Sequence, residues 1–192
     1  MMRASARPPA PRDLACVARQ LGREPRPLRR VTARCPWNAP AVVENLPYDA
    51  AGRPFPTLFW ATCPSLVAAV GLLESAGGVR RFEALAADDE QLHRSLLAAT
   101  AYERRRRRAL AARSAAPQRD DGASLATGIG GVARPAALKC LHAHAAHALA
   151  RPCYLLGERI LAAAAPLYPA QACCMGEPCG AGREGGGEEM AR

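Results

Sequence analysis

The sequence predicts an α+β domain: a small three-stranded antiparallel sheet covered by about five helices. Two patterns point there. Short β-branched or aromatic runs bounded by prolines fill the first third of the chain. Alanine-rich segments punctuated by Gly and Pro fill most of the rest, with helical stop and start signals. The length, 192 residues, suits one such domain with loose ends.

Residues 1–12 are rich in Pro and Arg, the composition of a disordered arm. "DLACVARQLG" (13–22) reads as a short amphipathic helix, with Asp13 to cap it and Gly22 to end it. "LRRVTARC" (28–35) alternates like a strand. "PAVVENLP" (40–47) and "TLFWATC" (57–63) are the other two strands, and "YDAAGRPFP" turns between them. Short connections make the three antiparallel. Pro64 opens a helix that Gly77 and Gly78 stop. "VRRFEALAA" is a short helix, and residues 88–113 form the longest one. Its acidic start and basic end both match the helix dipole. Residues 114–126 read as a flexible linker. A helix is expected from about residue 135 to 150, stopped by Pro152, and "YLLGERILAAAA" closes the domain at about 168. Residues 169–192 read as a disordered Gly-rich tail, its cysteines 173, 174 and 179 incidental.

Several classes are excluded. No apolar run reaches the roughly 18 residues of a membrane span. The basic N-terminus has no apolar segment behind it, so no secretory signal is read and a cytoplasmic location is expected. There, the eight cysteines are reduced thiols, metal ligands or small buried hydrophobes. The net charge of +9 suits an anionic small molecule or an acidic protein partner. Yet the charge is almost all arginine, with Lys139 the lone lysine, a composition that a GC-rich genome writes by default.

Chemistry concentrates in "KCLHAHAAHALA" (139–150), which holds three of the four histidines. At 100° per residue from Cys140, His144 falls at roughly 40° and His147 at roughly −20°, one narrow stripe beside an apolar seat. Thiolate and imidazole at helical spacing suit zinc or iron, with Cys35 and Cys63 as further donors from elsewhere in the chain. The expected metal set is therefore Cys35, Cys63, Cys140 and His144. The bland alternative is a packed helix whose histidines bond carbonyls or solvent. Cys35 and Cys63 each precede a proline at a strand end. With Pro64 at the first helical position, Cys63 becomes the residue that opens the helix, where unpaired N–H groups and the dipole favour a thiolate.

"TGIGGVARP" precedes the Cys/His segment. Amides at Gly128, Gly130 and Gly131, with Arg134 and Lys139, are the expected anion seat. It is neither a P-loop, which needs a G-K-[ST] ending, nor a dinucleotide fingerprint, which needs a preceding strand. The five arginines of "YERRRRRALAAR" cover every face of a helix, so a solvated helix end is favoured over a nucleic-acid groove.

"RCPWNAPAVVENLP", "PFPTLFWATCP", "GIGG" and "KCLHAHAAHALA", in this order, resemble the bacterial domain of unknown function 501 family over residues 13–165. The resemblance implies a cytosolic bacterial protein with no assigned activity. Its usual positions match at Cys35, Cys63, Cys140, His142 and His144, which brings His142 into the site against the helical-face argument. The chain departs after the helix, where "RPCYLLG" stands in place of an Asn-Pro-x-Gly turn. The expected catalytic residues are Cys63, His144 and His142, working with a metal or a reactive thiol on a phosphorylated or otherwise anionic small molecule. The rival readings are a non-enzymatic interaction module of division or envelope processes, and a nucleic-acid binder through the arginine helix.

Overall fold

The structure, a computed structural model, describes residues 9–25, 27–176 and 179. Residues 1–8 of the expected arm at 1–12, and residues 177, 178 and 180–192 of the expected tail at 169–192, lie outside them. Three strands among the described residues, β1 (Leu28–Arg34), β2 (Pro40–Asn45) and β3 (Phe59–Ala61), form one antiparallel sheet in the order β1-β2-β3. Val31 pairs with Val43, and Val43 with Trp60. Every residue of β2 is buried. A central strand covered on both faces needs a continuous apolar run, which "PAVVEN" supplies except at Glu44 and Asn45.

Among the described residues, six α-helices surround the sheet: α1 (Pro11–Leu21), α2 (Pro64–Ser75), α3 (Gly78–Asp88), α4 (Glu90–Ala111), α5 (Leu141–Ala150) and α6 (Leu155–Ala164). Helix α1 starts two residues early, on Pro11, whose ring pre-sets φ. Asp13 is therefore not its cap. It sits in the first turn and takes a two-pronged bond from Arg34 at 2.9 and 2.7 Å. Gly22 ends α1 in the left-handed region, φ 66°, where a Cβ is unfavourable. Asp89 caps α4 by accepting from the amides of Gln91 and Leu92.

Helix α5 lies at the centre, packed on β3, α6 and α2. Only His142 and Leu149 escape full burial in it, as alanine on nearly every side allows. The approach to α6 is close. A Cβ on Gly157 would stand 2.8 Å from the His144 carbonyl and 2.7 Å from Ala148 Cβ. Segment 114–126, expected to be a flexible linker, is pinned. The Asp120 carboxylate accepts from Tyr48 Oη at 2.6 Å and from the Ser124 amide at 2.8 Å, and Leu125 is buried beside Tyr48. Among the described residues, no helix is long and apolar enough to cross a membrane.

Candidate metal centre

The helix expected from 135 begins only at Leu141. Cys140 precedes it in extended conformation, φ −152°, ψ 118°. A residue outside the helix does not follow the 100° rule, so Cys140 leaves the stripe it was expected to share with His144 and His147. Its Sγ turns instead to His142 Nδ1, 3.5 Å away. Glu74, near the C-terminal end of α2, completes a cluster: its Oε1 lies 3.2 Å from the same nitrogen. Glu74 Oε1 also accepts a short bond from the Leu141 amide, meeting an otherwise unpaired donor of the α5 N-terminus.

These three donor atoms all lie within 4.8 Å of one another, the sole such group of three among the described residues. Metal bonds of about 2.0–2.3 Å give a tetrahedron edges of about 3.3–3.8 Å. The observed separations of 3.2 and 3.5 Å match that spacing. The far side of the ring is also arranged. His142 Nε2 donates to the Val67 carbonyl at 3.0 Å, which in the neutral ring leaves the Nδ1 lone pair for an ion. Without an ion, the Cys140 hydrogen bond, opposed by desolvation, raises the His142 pKa to about 9. An ion would take the place of that shared proton.

Cys140 and His142 line a cavity of about 330 Å³, together with Thr57, Phe59, Trp60, Val67, Gly130 and Lys139. The walls are chiefly apolar, and Lys139 supplies an exposed cation.

The other expected residues are dispersed. His144 is fully buried. Its Nδ1 is hydrogen-bonded with the Tyr154 hydroxyl at 2.6 Å, and its Nε2 is buried without a partner. Burial, with His147 nearby, lowers its pKa to about 3, so it packs as a neutral ring. Cys63 is the residue preceding α2, as expected, but its Sγ makes no cap bond. With Cys35 and Tyr168 it borders a separate cavity of about 10 Å³. Neither Cys63, Cys35 nor His144 belongs to a cluster of three ligand atoms among the described residues.

The glycine loop is closed on itself. The Gly128 amide donates to the Val132 carbonyl and the Gly131 amide to that of Gly128, so neither is left for an anion. The loop also stands well before α5 rather than at its N-terminus, and Arg134 faces solvent. Of the expected anion seat, Gly130 and Lys139 line the large cavity.

Two features escaped the sequence reading. Glu74 lies far along the chain, with no local signal. Glu103, the lone acid before five arginines, was such a signal. It is buried, with His147 Nδ1 at 2.9 Å on one oxygen and Arg107 Nη1 at 3.0 Å on the other. Arg107 has no exposed surface. It also donates to the carbonyls of Pro56 and Thr127. Arg106 reaches Glu44 in β2 at 2.7 Å, and Arg104 reaches the Thr127 carbonyl at 3.3 Å. Three arginines of the run thus turn inward. Arg105 and Arg108 alone face solvent.

A family model described as Protein of unknown function (DUF501) matches residues 31–162. No curated protein and no solved structure matches the chain.

Proposed function

The chain belongs to the DUF501 family of proteins of unknown function, and we propose that it holds one transition-metal ion through Cys140, His142 and Glu74. Three protein ligands with a side open to a cavity is the form of a catalytic rather than a structural zinc site. The donor set of one thiolate, one imidazole and one carboxylate suits zinc first and iron(II) second. The ion would serve as a Lewis acid and as the site of an activated water. The cavity walls fit a small molecule with an apolar body, and Lys139 answers an anionic group on it. The observation that carries this reading is the convergence of three donors on one point, with His142 Nε2 tied to the Val67 carbonyl.

One arrangement favours a second reading, a Cys140 nucleophile. Cys140 Sγ faces His142 Nδ1 while Nε2 is oriented by a carbonyl, the relation of a thiol to its base. Elemental analysis of untagged protein separates the two. The metal reading predicts about one zinc or iron per chain, lost in His142→Ala, and Cys140 shielded from iodoacetamide until a chelator is added. Metal-free protein whose Cys140 is the fastest thiol to alkylate would replace it with the second reading.

A further inference from the structure

Away from that centre, thiols gather where the chain after α6 returns to the start of α2. Cys35, Cys63, Cys173 and Cys174 line one small cavity with Tyr168. Within it Cys63 Sγ lies 3.6 Å from Cys174 Sγ, although 111 positions separate them in sequence. Cys63 is 2 % exposed, and Cys174 is exposed. Ser65 Oγ, 3.3 Å from Cys63 Sγ, completes its surroundings. A disulfide needs its sulfurs at about 2.05 Å, so from 3.6 Å the two must approach by roughly 1.5 Å to bond.

We propose that Cys63 and Cys174 form a peroxide-driven disulfide pair that fastens the C-terminal segment to the N-terminal end of α2. Hydrogen peroxide reaches Cys174, the exposed residue of the two, before Cys63. The Cys174 thiol becomes a sulfenic acid, its S–H giving way to S–OH as the peroxide O–O bond breaks and one water leaves. Cys63 Sγ then attacks that sulfur. The S–S bond forms, the S–O bond breaks, and the hydroxide departs with the Cys63 proton as a second water. Two thiols give up two electrons and two protons, and one peroxide becomes two waters. The shielded partner is the one that resolves, because its sulfur already lies beside that of the exposed residue. This chemistry involves none of the residues of the proposed metal centre.

The test uses the reduced full-length chain, treated with hydrogen peroxide, quenched with an alkylating reagent in denaturant and digested without reductant. A linked peptide pair carrying Cys63 and Cys174 is expected, lighter by two hydrogens than the two free peptides. In Cys174→Ser the pair is absent and Cys63 is recovered alkylated. In Cys63→Ser, Cys174 stops at a sulfenic acid that dimedone traps. The linked wild type should also unfold at higher urea than the reduced protein, since the bond closes a long loop. Cys63 recovered fully alkylated at a peroxide level that has oxidised Cys174 would overturn the proposal, as would a link from Cys174 to Cys35 or Cys173.

Discussion

His142 and His147 leave the same helix five positions apart and meet opposite surroundings. His142 stands at the open end of α5, half-exposed, its Nδ1 between a thiol and a carboxylate at the edge of a cavity. His147 lies in the core, edge-on to Phe59 with ring centroids 5.4 Å apart and bonded to Glu103, which Arg107 holds from the other side. Both histidines touch a glutamate. The difference is what else is at hand: His142 Nδ1 faces a thiol as well as a carboxylate at the edge of a cavity, whereas the Glu103 oxygens are both taken within the core. Burial of His147, Glu103 and Arg107 makes that trio a structural joint. Partial exposure with converging donors is what the proposed metal reading of the His142 end rests on.

The largest way to break this contrast is Glu103→Ala. It leaves Arg107 buried without its counter-charge, and removing one partner of a buried pair costs about 3–5 kcal/mol. Urea unfolding followed by circular dichroism should show a loss of that order. A loss below about 1 kcal/mol would mean that the trio is solvated and not a joint. Next is Gly157→Val, whose Cβ meets the His144 carbonyl and Tyr154 ring and whose extra methyls must find room between α5 and α6. Overpacking there should cost at least about 1–3 kcal/mol by the same assay.

Acid sharpens the comparison from the sheet side. Burial pushes the Glu44 carboxyl up, but hydrogen bonds and charge from Arg106 and Arg30 more than offset it, leaving the pKa below its ordinary value. Its folded form therefore binds protons less readily than the unfolded chain. The stabilisation is present above about pH 4.5 and is lost as pH falls through the lower folded value. The urea midpoint should drop across that range, and Glu44→Gln should flatten part of the slope. An unchanged slope would show that the arginines do not act on this carboxylate. The smallest expected effect on stability is at the candidate centre: His142→Ala in metal-free protein should stay within about 1 kcal/mol of wild type, as half-exposed sites usually do.

Much of the frame was legible because its causes are local. Alternation marked β1, and β-branched or aromatic runs bounded by prolines marked the other two strands, although β3 contracts to Phe59–Ala61. Pro64 and Gly22 bound helices through chemistry that a short window contains. What stayed hidden depends on partners distant in the chain. Residues 135–140 carry helical letters, yet the Leu138 amide bonds Glu83 and the Leu141 amide bonds Glu74, so tertiary contacts set the start of α5. That shift removes Cys140 from the helical stripe and replaces His144 by His142 as its neighbour. The arginine run misled for the same reason. Nothing near it announces Glu44, Pro56 or Thr127 as its acceptors.

Cobalt(II) added to the metal-free protein tests the central claim most directly, because its spectrum reports both geometry and sulfur ligation. One equivalent should bind in a tetrahedral site, with an intense thiolate-to-cobalt band that disappears in Cys140→Ser and with binding weakened in His142→Ala and Glu74→Gln. A weak octahedral spectrum, or a thiolate band that survives in Cys140→Ser, would contradict it.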